Sequence, residues 1–68
     1  MNKDLLRSIM VLYGDTNKIL ADYLGITEQS LSNKINENGT EFKVGEIRLI
    51  KIRYKLTSDL VDRIFFAD

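Results

Sequence analysis

The 68-residue chain contains no cysteine, histidine, proline or tryptophan. Without cysteine there is no disulfide, and without cysteine or histidine a zinc site is all but excluded. A chain this short hides only about 60% of its unfolded surface on folding, and many such domains add a staple of one of those kinds. This one must rely on regular packing. The same absences remove the commonest general base and the commonest soft nucleophile. No paired-carboxylate or glycine-loop motif stands in for them, so the chain is expected to be non-catalytic, with no cofactor, metal or small-molecule ligand. Long hydrophobic runs are missing too. The longest are Ile9–Tyr13 and Ile64–Ala67, far short of the ~20 residues of a membrane helix. Asp4 also sits where a signal peptide would be basic. These features predict one cytoplasmic domain spanning 1–68 with no membrane partner. Neither charge sign is in excess, with ten Lys+Arg against ten Asp+Glu, which by itself disfavours a partner held by bulk electrostatics.

What is present is helical periodicity broken by small polar clusters and single glycines. Asn2 is placed to cap a first helix reaching Tyr13, with Leu5, Leu6, Ile9, Leu12 and Tyr13 on one face. Thr16 can cap a second over Asn17–Leu24, its buried side formed by Ile19, Leu20, Tyr23 and Leu24. Gly25 can end that helix in the left-handed conformation. Thr27 can cap a third from Glu28 to about Asn36, ahead of the turn-rich Asn36-Glu37-Asn38-Gly39-Thr40. Phe42 is expected to anchor the loop, followed by a fourth helix over Val44–Lys55 and a fifth, capped by Thr57, from Ser58 to about Phe65. Nothing alternates with period two for long enough to suggest a sheet. The expected class is all-α, with five short helices.

Asn17–Ile35 reads as one unit. Only Gly25-Ile26-Thr27 joins its two helices, a connection too short for a long antiparallel hairpin, so it sets them at a steep angle. Ala21 offers the small residue a close crossing needs, and Leu20, Leu24, Leu31 and Ile35 supply the packing. This spacing is that of a helix-turn-helix. On a helical wheel Leu31 and Ile35 mark the inner face of the third helix. Gln29, Asn33 and Asn36 lie opposite, Ser30 and Ser32 toward the edges, and Lys34 and Glu28 nearer the inner boundary. Ordinary solvated faces favour Lys and Glu, which are better helix formers than Asn and Ser. Side-chain amides offer the donor and acceptor that adenine requires in the major groove. The plain alternative is a polar surface helix in a small bundle; the glycine turn and Ala21 favour DNA reading.

The stretch Asn17-Lys-Ile-Leu-Ala-Asp-Tyr-Leu-Gly-Ile-Thr-Glu-Gln-Ser-Leu-Ser-Asn-Lys-Ile35 resembles the lambda-repressor-like helix-turn-helix domains of phage and bacterial repressors, the Cro/XRE type. The likeness continues through Phe42, Glu46-Ile47 and Ile64-Phe65-Phe66. It implies a compact five-helix DNA-binding fold whose second and third helices form the motif, acting as a homodimer on a double-stranded operator in a bacterial or phage-infected cell. By position, Glu28, Gln29, Ser32 and Asn33 would read bases. Asn17, Thr27, Ser30, Lys34, Asn36, Asn38, Thr40 and Lys43 would contact phosphate. Lys34 departs from the family pattern, standing where an aliphatic core residue is usual. Its stem is expected along the core edge with the charge reaching outward.

The fourth helix carries one apolar stripe of Ile47, Ile50 and Tyr54 and another of Leu49, Ile52 and Leu56, with Arg48, Lys51 and Lys55 between them. One stripe must face the core; the other can cover the fifth helix or a partner subunit. Phe65 and Phe66 cannot both be hidden easily in so short a helix, so Leu56, Phe65 and Phe66 are candidate dimer contacts. Two functions compete. The first is a sequence-specific transcriptional regulator, a phage or phage-like repressor. The alternative is a protein-interaction module on a degenerate helix-turn-helix that does not bind DNA. In the first case few cations face the DNA, because much of the positive charge falls on Arg48, Lys51, Arg53 and Lys55.

Overall fold

The computed structural model describes residues 1–66. It contains α1 (Lys3–Leu12), α2 (Asn17–Leu24), α3 (Glu28–Ile35), α4 (Val44–Arg53) and α5 (Ser58–Val61), which continues into a π-helical segment, Asp62–Phe66. No strand occurs among the described residues, and none of their helices is long and apolar enough to cross a membrane.

The helix starts follow side-chain capping. Asn2 Oδ1 accepts from the Leu5 N–H, and the hydroxyls of Thr16, Thr27 and Thr57 accept from Ile19, Ser30 and Leu60. Each relieves one of the unpaired donors of a first turn. α2 ends on Gly25 at φ 74°, with the Ile26 N–H returning to the Ala21 carbonyl at 3.0 Å. α3 stops at Ile35, with Asn36 as its C-cap. α4 ends at Arg53, two residues before the expected Lys55, because Lys55 takes a left-handed φ of 53° and breaks the helix. The last helix also departs from the expected single α-helix. The Ile64 carbonyl in its π-helical portion accepts from the Asn2 N–H at 2.7 Å, joining the two ends of the described chain.

The core draws on every long helix. Leu6, Leu20, Leu31, Ile35, Ile50 and Ile64 are fully buried. Leu20 and Ala21 of α2 are buried together with Leu31 and Ile35 of α3, as the spacing of Asn17–Ile35 implied. Four expected core residues lie outside. Leu12 is 80% exposed, and Tyr13, Ile19 and Tyr23 are also exposed, while Met10 takes the inward place on α1. Leu12 lies about 200° round the helix from Met10, so it turns away from the inner stripe of Leu6 and Met10. The two stripes of α4 resolve in the same way. Ile50 and Tyr54 are buried, Leu49 and Ile52 are exposed, and Leu56, past the left-handed turn, folds inward.

A polar cluster joins the α1–α2 turn to the end of α4. Asp15 receives a bidentate pair from Arg53 at 2.6 and 2.8 Å and a third hydrogen bond from the Tyr54 hydroxyl at 2.6 Å. The Arg53 guanidinium stacks over the Tyr23 ring, 4.7 Å from its centroid, and Tyr13 packs edge-on against Tyr54. The hydrogen bonds from Arg53 hold the Asp15 carboxyl below its ordinary range, with smaller help from Tyr54, against an opposing push from burial. Burial, followed by the bond to Asp15, raises the Tyr54 phenol.

Because Asp15 titrates lower in the folded chain, its stabilising contribution is present above the unfolded value of about 4 and is lost as pH falls through the folded value. Denaturation midpoints should therefore drop on acidification below about pH 4. Asp15→Asn should be less stable at neutral pH and less acid-sensitive; acid dependence equal to that of the unsubstituted chain would contradict this role. Leu31→Ala should cost about 2–5 kcal/mol, measured by thermal unfolding followed by circular dichroism.

Candidate functional site

Two short helices with a left-handed glycine between them present one polar face on α3. Gln29 is exposed and Asn33 half-buried on that face. Their spacing of four residues brings the side chains together, and Gln29 Nε2 donates to Asn33 Oδ1 at 3.1 Å. In that orientation the Gln29 carbonyl oxygen and the Asn33 amide nitrogen have no hydrogen-bond partner among the described residues. The pair leaves one acceptor and one donor outward. Asn36 donates to the Ser32 hydroxyl at 3.4 Å, so a second pair continues the row. Glu28 is exposed in the first turn, where a carboxylate suits the helix dipole. Thr27 and Ser30 are engaged in capping, Thr27 exposed and Ser30 half-buried.

The remaining polar candidates sit on neighbouring elements. Asn17 opens α2, next to its cap Thr16. Asn38 and Lys43 are exposed and Thr40 half-buried in the α3–α4 loop. Left-handed residues at Glu37 (φ 57°) and Gly39 (φ 77°) shape that loop, and the Asn38 N–H donates to the Asn33 carbonyl at 2.9 Å. The loop also carries Glu37 and Glu41. Glu37 pairs with the Met1 amino group at 2.8 Å, which holds its carboxyl below the ordinary range.

Two expected positions change place. Lys34 does not reach outward: it is 5% exposed, and its ammonium lies 2.7 Å from Glu46 Oε1. A charge this deep needs a partner, and the Glu46 carboxylate on the first turn of α4 supplies it. Lys34 is therefore withdrawn from the phosphate-contacting set. The same Glu46 oxygen accepts at 2.8 Å from the N–H of Lys43, the N-cap residue of α4, and so closes the first turn of that helix. Burial pushes the Glu46 carboxyl up, but the bonds from Lys34 and Lys43 outweigh it and hold the group below its ordinary range. Leu56 is withdrawn as a dimer contact, because it is buried in the core. Phe65 is half-buried and packs edge-on against Phe42, its ring centroid 5.4 Å away. Phe66 is 64% exposed beside Val44, Ile47, Arg48 and Lys51.

One residue escaped the sequence reading. Arg7 of α1 lines a shallow cleft with Thr16 and Asn17, and its guanidinium donates to Asn36 at 3.5 Å. It brings a cation between the start of α2 and the end of α3. No local pattern announces it, because the contact spans 29 residues. Glu46 entered the sequence reading only as part of the family resemblance; its pairing with Lys34 is tertiary.

Comparison with family models, curated proteins and solved structures finds no match to this chain.

Removing one member of a buried ion pair strands the other. Glu46→Ala should therefore cost about 3–5 kcal/mol, well above the change expected at an exposed acid such as Asp22, as measured by urea denaturation. A loss no larger than that of Asp22→Ala would show that the Lys34 ammonium finds water instead.

Proposed function

We propose that the chain is a sequence-specific DNA-binding regulator of the lambda-repressor-like type, with α2 and α3 acting as a helix-turn-helix and α3 lying in the major groove. The Gln29–Asn33 amide pair carries this reading. On that face the helix carries Ser32, Asn33 and Asn36, weaker helix formers than Lys or Glu, and Gln29 and Asn33 together hold a donor and an acceptor in register. The Gln29 oxygen can accept from adenine N6, and the Asn33 amide can donate to N7. Glu28 and Ser32 flank the pair as further base-reading groups. Around them Asn17, Thr27, Ser30, Asn36, Asn38, Thr40 and Lys43, joined by Arg7, would meet phosphate through side chains, helix ends and backbone N–H groups. The regulator would have no catalysis and no cofactor, and would act by covering an operator that overlaps a promoter.

A homodimer on DNA follows from the need to read two half-sites. Its candidate contact is Phe66, exposed next to Val44 and Ile47, with the basic Arg48 and Lys51 facing acids such as Asp62 of a second copy. The second reading is a protein-interaction module that does not bind DNA. It is favoured by balanced net charge and by exposed apolar side chains at Val11, Leu12, Ile52 and Phe66.

Selection from a random duplex pool distinguishes the two. The expected result is enrichment of an A/T-containing half-site repeated about one helical turn away. Gln29→Ala or Asn33→Ala should weaken binding to it by about 1–3 kcal/mol while unfolding stays within about 1 kcal/mol of the unsubstituted chain. A pool without enrichment at low salt, together with a dimer in solution, would favour the interaction module.

Salt dependence gives a separate check. With Lys34 paired inside, Arg7 and Lys43 are the main cations near the reading face, so log K should fall only gently with log salt, and Arg7→Ala should reduce the slope by about one. A steep slope unaffected by Arg7→Ala would place the phosphate contacts elsewhere, on Arg48 and Lys51 of α4 and Lys55 beyond its end.

A further inference from the structure

We propose that the buried Lys34–Glu46 pair is a positioning device: it fixes the 38–43 loop and the start of α4 relative to the reading helix. The proposal rests on the DNA reading above and adds residues that touch no DNA themselves. Three observations carry it. Glu46 Oε1 is the meeting point of two donors, the Lys34 ammonium from α3 at 2.7 Å and the Lys43 N–H at the end of the loop at 2.8 Å. The Lys34 ammonium also lies 3.5 Å from the Glu41 carbonyl, inside the loop. Both side chains are nearly closed to solvent, with relative exposures of 6% and 11%.

Stability alone is a poor reason for such a pair, because apolar side chains of similar volume often replace a buried ion pair with no loss. What apolar side chains do not supply is direction. An ammonium held by a carboxylate and a carbonyl has a defined place, and here that place links three segments. The loop needs such a link. It turns through left-handed residues at Glu37 and Gly39, and its side chains are largely exposed, with Phe42 as the chief apolar anchor. Without the link, Asn38, Thr40 and Lys43 would remain beside the DNA but out of register with Gln29 and Asn33. Lys34 and Glu46 are thus positioning residues. A misplacement of this kind lowers affinity without removing any contacting group.

The test is the double variant Lys34→Met/Glu46→Gln. It deletes both charges, leaves no buried ion unpaired, and keeps a side-chain oxygen able to accept from the Lys43 N–H. Amide hydrogen exchange of residues 38–43 is compared with that of the α2 and α3 cores, and binding is measured to a mixed-sequence DNA duplex across a salt series. The expected result is a melting temperature close to the unsubstituted chain and exchange in 38–43 faster by at least about tenfold. Affinity should be lower by about tenfold and the salt slope smaller by about one, as a lost phosphate contact requires. Unchanged exchange in 38–43 overturns the proposal, and so does faster exchange with unaltered affinity and slope. If the double variant does not fold, Glu46→Gln alone keeps one side-chain oxygen for the Lys43 N–H but removes the charge opposite Lys34, so the whole chain should lose stability while exchange in 38–43 rises more than in the α2 and α3 cores; a rise no larger in the loop than in the cores overturns the proposal. Absence of duplex binding by the unsubstituted chain at low salt refutes the DNA reading instead, while the exchange comparison still decides whether the pair holds the loop.

Discussion

One carboxylate oxygen, Glu46 Oε1, joins α3, the loop that follows it and the first turn of α4. Charges are costly to bury, and this pair persists because each group is met by donors or acceptors from separate segments. The arrangement also explains the polarity of α3. With Lys34 turned inward, the helix packs through Leu31, Lys34 and Ile35, and its opposite side carries none of its buried residues. The amides of Gln29 and Asn33 are placed there by exclusion as much as by choice.

A second polar junction does comparable work at the other end of α4. Asp15, fixed by Arg53 and Tyr54, ties the α1–α2 turn to the helix terminus. The last turn of a helix leaves carbonyls without intrahelical partners. Here the Tyr13 hydroxyl donates to the carbonyl of Tyr54, the C-cap of α4, at 3.0 Å, and the Tyr23 hydroxyl reaches the Leu49 carbonyl one turn earlier at 3.2 Å. A domain without a disulfide thus holds its helices by a small apolar centre and two junctions of charge, one at each end of α4. Both junctions join different segments of the chain, so neither can form within an isolated helix.

The charge balance acquires a different meaning in three dimensions. Ten cations and ten anions sum to zero, but their placement is uneven. Lys34 and Arg53 are committed to buried or half-buried carboxylates, Lys18 and Arg63 to neighbours on their own helices, Arg48 lies exposed on α4, and Lys55 lies exposed just past its end. Few remain near the α3 face. A DNA-binding role for such a surface would depend on hydrogen-bond geometry more than on counterion release, which places a premium on positioning groups precisely enough for their donors and acceptors to meet bases and phosphates. That premium gives the Glu46 junction its functional interest.

The local elements were written in the sequence. Thr16, Thr27 and Thr57 each cap a helix, Gly25 ends one, and Leu20, Leu31, Ile35 and Ile50 recur at helical spacing, because caps, turns and amphipathic periods involve residues within one or two turns of each other. The polar face of α3 was legible for the same reason. The inward turn of Lys34, the burial of Leu56, the exposure of Leu12, Ile19 and Tyr23, and the approach of Arg7 to Asn36 were decided only by the tertiary structure. Each depends on which helix lies against which, and on where a helix ends. A wheel projected from one helix says which residues share a side. Only the neighbouring helix, with its carboxylate at Glu46, determines that a lysine at the boundary of that side points in.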